Sequence, residues 1–133
     1  MTAADTSVVV AAFASWHERH EAARRALDGG LRLVEHCALE TYSVLTRLPA
    51  PHRASGEVVR EFLKARFSQP FLRLSAAAYK NFLSELPGRG VSGGAAYDAL
   101  VAATVANHDA ELVSCDRRAA VIYERYRIRT HIF

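Results

Sequence analysis

The chain has 133 residues, half of them apolar, which suffices for one globular domain with a buried core. Its formal net charge of +3 permits nucleic-acid binding without demonstrating it. Arginine makes up 15 of its 17 basic residues and matches phosphate oxygens, although biased codon usage explains the same excess. No stretch approaches the roughly 18 apolar residues of a membrane span, and the N-terminus lacks a signal-peptide pattern. We therefore expect a cytoplasmic protein without membrane contact and with one domain over residues 1–133.

Strand-like and helical patterns alternate along the whole chain. The predicted strands cover about residues 2–6, 31–35, 71–74, 111–114 and 129–133. A short helix after the first strand is followed by helices over about 16–27, 38–48, 55–68, 75–86, 97–107 and 116–126. This alternation predicts a three-layer α/β/α fold with a mainly parallel central sheet. In such sheets, ligand sites lie beyond the C-terminal ends of the strands.

Four acidic residues fall where strands end or helices begin. Asp5 ends the first strand, and Asp116 follows the strand over residues 111–114. Glu40 and Asp98 are predicted in the first turns of two helices. Because these positions meet at one edge of a parallel sheet, we expect the four carboxylates to lie close together. Crowded carboxylates repel one another unless a cation neutralises them, and Mg²⁺ or Mn²⁺ suits a site of oxygen ligands.

Each acid also has a structural interpretation. Asp98 and Asp116 stand where helix N-caps are common. Glu40 has a histidine and an arginine on the same side of its helix, so an ion pair accounts for it equally well. Asp5 differs because an acid in an apolar strand must be compensated, which favours a functional role. The set of four therefore indicates a metal site more strongly than any single member does.

The residues around these acids resemble the motifs of a known family. The four segments are Asp-Thr-Ser-Val-Val-Val-Ala at 5–11, Glu40 with Val-Leu-Thr-Arg at 44–47, Tyr-Asp-Ala-Leu-Val-Ala-Ala at 97–103, and Leu-Val-Ser-Cys-Asp-Arg-Arg at 112–118. In this order they resemble the four acidic motifs of PIN domains. In size and motif style the chain is most similar to the VapC-type toxins of type II toxin–antitoxin systems.

That resemblance implies a PIN-like fold and a Mg²⁺- or Mn²⁺-dependent endoribonuclease that hydrolyses RNA phosphodiester bonds. It also implies a homodimer that a small cognate antitoxin protein inhibits. Carried onto this sequence, Asp5 and Asp98 are the expected main metal ligands. Glu40 and Asp116 are expected to complete the catalytic site or to position the attacking water.

Polar and basic neighbours of the acids have candidate supporting roles. Thr6, Ser7 and Ser114 are expected to donate hydrogen bonds to the ligand carboxylates, although ordinary backbone capping accounts for them equally well. Arg117 and Arg118 directly follow the last acid and are candidates for contact with RNA phosphates. A solvated helix face is the alternative for both arginines.

Other motifs indicate no second cofactor. Cys37 and Cys115 are far apart in sequence and are predicted to be reduced, buried thiols. Residues 88–94 contain the spacing Gly-x-Gly-x-x-Gly, but a helix precedes them where the dinucleotide fingerprint needs a strand, so we predict a mobile loop. His17 and His20 are three residues apart rather than the four of the zinc-protease pattern.

Two other classes of protein deserve comparison. A signalling receiver domain also gathers acids and Mg²⁺ at strand ends, but it needs two adjacent acids after the first strand, and Asp5 has no acidic neighbour. The other alternative is an antitoxin-binding regulatory module without significant nuclease activity. Residues 58–63 and 71–86 carry enough apolar side chains for a partner helix, unless the domain core contains them.

Overall fold

The computed structural model describes all 133 residues. Four parallel strands form one sheet in the order β2-β1-β3-β4, and helices flank it in a three-layer arrangement, which confirms the predicted fold class. The strands are β1 (Thr2–Ala4), β2 (Arg32–Leu33), β3 (Glu111–Ser114) and β4 (Thr130–Ile132). The helices are α1 (Thr6–Phe13), α2 (His20–Asp28), α3 (Glu35–Thr46), α4 (Gly56–Arg66), α5 (Ala76–Glu85), α6 (Ala95–Asn107) and α7 (Arg117–Arg125). None of these helices combines the length and apolarity needed to cross a bilayer.

The two central strands, β1 and β3, bring their C-terminal ends to the same edge of the sheet. Ala4 of β1 pairs with Val113 of β3 in parallel register. Both strands are buried on both faces, which explains their continuous apolar sequence. The residues that leave these strands, Asp5 and Cys115, therefore start side by side at the edge where ligand sites form in open parallel sheets.

Helices α1 and α7 begin immediately beyond this edge, and an aspartate caps each one. Asp5 has extended backbone angles and accepts a hydrogen bond from the Val8 amide. Asp116 accepts hydrogen bonds through Oδ1 from the amides of Arg118 and Ala119, at 2.9 and 3.2 Å. The strand-to-helix turns are thus fixed by the same two acids that the sequence singles out.

Helix α3 differs from its prediction in position and in buried face. It begins at Glu35 rather than near residue 38, so Glu40 lies in its second turn and not in its first. The sequence spacing predicts an apolar face that contains Leu39, Tyr42, Leu45 and Leu48. Leu45 is buried, but Leu39 and Tyr42 are 71% and 42% exposed. The core-facing row instead follows an i, i+4 spacing of Cys37, Thr41 and Leu45. Cys37 and Thr41 are small enough to bring the helix close to α1, with which it is in contact.

Two further predicted elements are shorter than expected. Helix α2 begins at His20 and not near residue 16, because the His17 ring accepts the Arg19 amide in a turn that precedes the helix. The predicted strand over residues 71–74 is reduced to one bridge, between Leu72 and Val34. A single bridged residue leaves this segment outside the four-stranded sheet.

Residues 88–94, predicted as a mobile loop, are attached to the rest of the fold. Arg125 donates to the carbonyls of Arg89 and Gly90, and Arg89 donates back to the Arg125 carbonyl at 3.2 Å. Val91 is buried in a small cluster that packs beside the main core, together with Leu74, Phe82, Ala99 and Ile122. These contacts hold the segment that leads into α6.

Candidate functional site

A small cavity lies beyond the C-terminal ends of β1 and β3, and all four acids line it. Its volume is about 40 Å³, roughly the space of one or two water molecules. The lining residues are Asp5, Thr6, Ser7, Cys37, Glu40, Tyr97, Asp98, Val101, Asp116 and Tyr123. The structure therefore brings together side chains from α1, α3, α6 and α7 that are separated by up to 118 positions in the sequence.

The Asp5 carboxylate is buried, with 4% exposure, and accepts four hydrogen bonds. Ser7 donates to Oδ1 at 2.5 Å, and the Val8 amide donates to the same oxygen at 3.3 Å. Ser114 and Tyr123 donate to Oδ2 at 2.5 and 2.8 Å. Burial raises the pKa of Asp5, and these hydrogen bonds oppose the rise. The four donors fix the orientation of a carboxylate that lies almost wholly out of solvent.

Ser7 and Ser114 also join the two strand exits to each other. The Cys115 amide donates to Ser7 Oγ at 2.7 Å, and the Asp116 amide donates to Ser114 Oγ at 3.0 Å. The two serine oxygens are 3.3 Å apart. Thr6 differs, since its Oγ1 atom is buried without a hydrogen-bond partner. Of the three predicted supporting residues, the two serines thus contact Asp5, and Thr6 leaves a free oxygen at the cavity.

Asp98 is the acid most affected by its neighbours. Burial, followed by the negative charges of Asp116, Glu40 and Asp5, raises its pKa to about 6. It lies in the first turn of α6, but Gly94 occupies the cap position and no side chain caps the helix. The N-cap interpretation therefore fails for Asp98, whereas it holds for Asp116. The repulsion that acts on Asp98 is of the kind that a bound cation relieves.

Glu40 is half-buried and lies beside His36, one turn earlier in α3. The two side chains approach to 3.8 Å between His36 Nε2 and Glu40 Oε2, an ion-pair distance too long for a hydrogen bond. The imidazole is the main cause of the lowered pKa of Glu40. Glu40 thus has the local pairing that its spacing suggests, and it lines the cavity as well.

The donor set of the cavity fits a hard divalent cation. All four charged groups are carboxylates, and the unpaired Thr6 oxygen adds a neutral one. No three acidic, histidine or cysteine side chains stand at metal-binding distances from a common point in this arrangement. The carboxylates therefore form an open cluster, and the fit lies in the chemistry of the donors rather than in a preformed cage.

Two residues of the site, Tyr123 and Tyr97, were missed from the sequence, and so was the contact of His36 with Tyr97. Tyr123 follows Asp116 by seven residues, or two helical turns, so the two lie on the same side of α7. That spacing was the only sign in the sequence that Tyr123 belongs to the site. His36 and Tyr97 each lie close in sequence to a predicted acid, but nothing in the sequence places their rings together. The structure stacks the two rings, with centroids 5.2 Å apart and planes at 4°.

The two cysteines are unpaired in the structure. Cys37 is buried, as predicted, whereas Cys115 is only partly buried. Burial raises the pKa of the Cys115 thiol to about 11 and that of Cys37 further still. Because the thiolate is the reactive form, both side chains are poor nucleophiles at neutral pH.

Comparison with known proteins identifies the family. The sequence profile of the PIN domain matches residues 3–125. The chain belongs to the PIN-domain family. This PIN domain is 48% identical over 132 residues to Ribonuclease VapC40 of Mycobacterium tuberculosis, with 99% of the chain and 98% of the relative covered. It is 38% identical to Ribonuclease VapC27 of the same species, with 92% and 90% covered. These relatives confirm the resemblance to VapC-type members of the family.

Solved structures confirm the fold independently of close sequence similarity. The PIN domain superposes on FitAcB from Neisseria gonorrhoeae with a TM-score of 0.68 at 19% identity, covering 98% of this chain and 96% of that one. It superposes on FitAB bound to the IR36 DNA fragment with a TM-score of 0.72 at 16% identity, covering 99% and 94%. The similarity at such low identity concerns the fold alone.

Proposed function

We propose that the chain is a Mg²⁺- or Mn²⁺-dependent endoribonuclease and the toxin of a toxin–antitoxin pair. The observation that carries the proposal is the convergence of four carboxylates on one small cavity, close enough that three of them raise the pKa of Asp98. The relatives named VapC ribonucleases support the same activity. The reaction is hydrolysis of an RNA phosphodiester bond.

In this proposal Asp5 and Asp98 hold the metal ion, directly or through water, and Glu40 and Asp116 complete the site or position the attacking water. A carboxylate-held divalent ion lowers the pKa of water and stabilises negative charge on phosphate oxygens. Asp116 keeps Oδ2 for this role because Oδ1 accepts two amides of α7. The hydrogen bonds to Asp5 hold its carboxylate in one orientation, and the free Thr6 oxygen offers a neutral donor or acceptor at the cavity.

We assign Arg117 and Arg118 to contact with RNA phosphates. Arg118 is almost fully exposed, at 97% for the side chain, and its Nε atom lies 3.9 Å from Asp116 Oδ1. A guanidinium so close to the acids offsets part of the repulsion that an incoming phosphate meets. Arg117 precedes Arg118 in the first turn of α7 and is proposed for the same role on its position in the sequence.

The proposed antitoxin partner fits a second, larger cavity between α3 and α4. This groove has a volume of about 730 Å³, and its apolar lining includes Tyr42, Leu63, Phe67 and Phe71. Its charged lining is two basic side chains, Arg60 and Lys64, and one acid, Glu57, so basic groups predominate. An amphipathic antitoxin segment with apolar anchors and acidic flanks has the matching chemistry. The homodimer expected from the resemblance is proposed together with this partner.

Cleavage of total RNA tests the nuclease directly. Purified wild-type chain is incubated with RNA and Mn²⁺, beside Asp5→Asn and Asp98→Asn. We expect EDTA-sensitive cleavage by the wild type and loss of cleavage in both variants. Glu124→Gln is the matched control, since Glu124 is an exposed acid of α7 outside the cavity. Full cleavage by both folded variants contradicts the proposal.

The binding-only alternative predicts a different pattern. A folded wild-type chain would then bind the product of a neighbouring small open reading frame and leave RNA intact in Mn²⁺. If RNA is cleaved instead, mapping the cut ends identifies which class of RNA is the target.

A further inference from the structure

An exposed aromatic side chain forms part of the wall of the carboxylate cavity. Tyr97 lies in the first turn of α6, directly before Asp98, and lines the cavity with the four acids. Nevertheless 58% of the residue is exposed. A tyrosine that borders a polar site and keeps most of its surface in water is available to a ligand that enters that site.

The ring of Tyr97 is supported on one side only. His36 stacks on it with ring centroids 5.2 Å apart and an angle of 4° between the planes. His36 is mostly buried and stands 3.8 Å from Glu40. Because the planes are nearly parallel and the centroids are 5.2 Å apart, the rings are offset, and His36 overlaps only part of one face of Tyr97. The pair therefore forms a flat aromatic surface of which more than half of Tyr97 stays exposed.

A second contact between an exposed aromatic ring and a histidine, tilted by 39° rather than stacked, lies away from the site. Trp16 lies against His52 with ring centroids 4.3 Å apart and is 51% exposed. Trp16 does not line the carboxylate cavity. What distinguishes Tyr97 is the combination of an exposed aromatic ring, a parallel neighbouring ring and a place in the wall of the proposed reaction site.

The charge of the cavity indicates which part of an RNA would contact the Tyr97 ring. Four acids line the cavity and repel the phosphates of RNA, and no lysine or arginine side chain lines it. At the α6 side its wall offers an uncharged aromatic ring. Nucleobases stack on such planes, and the energy of stacking does not depend on phosphate charge.

We propose that Tyr97, supported by His36, is a stacking platform for the nucleobase next to the scissile phosphate. This inference rests on the proposed ribonuclease activity. The platform contributes to substrate binding and to the choice of cleavage position, while the carboxylates carry the chemistry. Alanine substitution of one side chain that stacks on a base weakens binding by about 5- to 100-fold in other single-strand-binding proteins.

The test uses a short RNA that spans a cut site mapped for the wild-type protein. The full-length chain is compared with Tyr97→Ala and Tyr97→Phe, and Trp16→Ala is the matched control. We expect Tyr97→Ala to raise KM about 5- to 100-fold with a much smaller change in kcat. Tyr97→Phe, which keeps the ring, should retain the wild-type KM, and so should Trp16→Ala. Tyr97→Leu adds a variant that keeps apolar bulk without an aromatic face, and it should behave as Tyr97→Ala does.

A second arm identifies the base. The same RNA is made with an abasic ribose at the position before or after the cut. The effect of Tyr97→Ala should disappear on one of these two RNAs, because the stacked base is already missing. Fluorescence anisotropy of the labelled RNA in Ca²⁺, which takes the same oxygen ligands, provides a binding readout besides turnover. In this assay Tyr97→Ala should bind the intact RNA more weakly than the wild type does, by a factor similar to its rise in KM.

Three outcomes overturn the inference. One is an unchanged KM for Tyr97→Ala while the wild type cleaves RNA in an EDTA-sensitive manner. Another is an equal effect of Tyr97→Ala on intact and abasic RNAs. The third is a change in oligomeric state, measured by light scattering, since Tyr97 would then contact a second copy of the chain. Failure of the wild type to cleave RNA overturns the proposed function instead, so the two failures are distinguishable.

Discussion

Tyr123 donates a hydrogen bond to Asp5 across 118 positions of the sequence, with its hydroxyl 2.8 Å from Asp5 Oδ2. Both side chains are buried, and burial together with the Asp5 charge raises the pKa of the tyrosine. The phenol therefore remains protonated and acts only as a donor. This contact ties the far end of α7 to the acid that begins α1.

Tyr123→Phe should destabilise the protein by about 1–3 kcal/mol, the usual cost of losing a hydrogen bond to a buried charged group. Chemical denaturation in EDTA measures the change. Tyr126→Phe is a matched control in the same region, because the Tyr126 hydroxyl is buried without a partner and its removal should cost little. Equal stability losses in the two variants would show that the bond to Asp5 contributes nothing.

Ser114→Ala removes a donor to Asp5 and an acceptor for the Asp116 amide. Because the serine orients two proposed ligands, we expect Mn²⁺ affinity to fall by about 10- to 100-fold. Isothermal titration with Mn²⁺ measures this, with circular dichroism to verify the fold. Ser84→Ala removes only a bond to a carbonyl on the exposed helix α5 and serves as the control. An unchanged Mn²⁺ affinity in folded Ser114→Ala would contradict the role given to this serine.

The raised pKa of Asp98 predicts a dependence of stability on pH. Its ordinary pKa of 3.8 rises to about 6 in the folded protein, so the folded state holds the proton more tightly than the unfolded state does. As pH increases from about 4 to 6, metal-free wild type should therefore lose stability relative to Asp98→Asn. Because the group is about half exposed, solvent screening limits the effect to roughly 1 kcal/mol.

Thermal unfolding in EDTA at several pH values measures that difference, with a shift in Tm of about 3 °C for a domain of this size. Addition of Mn²⁺ at pH 7 should make the wild type the more stable of the two proteins, since the ion binds the wild-type site and stabilises it. If the two proteins keep the same Tm difference at pH 4 and pH 7, burial and the neighbouring acids do not raise the pKa of Asp98 in the folded protein.

Periodicity and residue type were enough to predict the parallel sheet and the edge at which the acids gather. Strands β1 and β3 are short and buried beyond their first residues, and the aspartates that follow them cap helices, which leaves a clear signal in the sequence. Long-range contacts between side chains leave no comparable signal in the sequence. The bond from Tyr123 to Asp5 and the stack of His36 on Tyr97 depend on how separate helices are placed in space.

Helix α3 shows where periodicity misleads. Large apolar residues at 39 and 42 suggest a buried face, yet the core takes the smaller side chains of Cys37 and Thr41 because neighbouring helices pack closely there. The exposed apolar residues that result are Leu39 and Tyr42, and Tyr42 lines the groove between α3 and α4. A departure from the expected face thus points to the surface that we assign to the antitoxin.

The most direct test of the central claim is chelation and re-addition of metal during RNA cleavage by the wild-type chain. The account predicts that EDTA stops cleavage, that excess Mn²⁺ or Mg²⁺ restores it, and that Asp98→Asn gives no cleavage under either condition. Cleavage that continues unchanged in EDTA, or that Asp98→Asn performs at the wild-type rate, would contradict a metal-dependent site built on these four carboxylates.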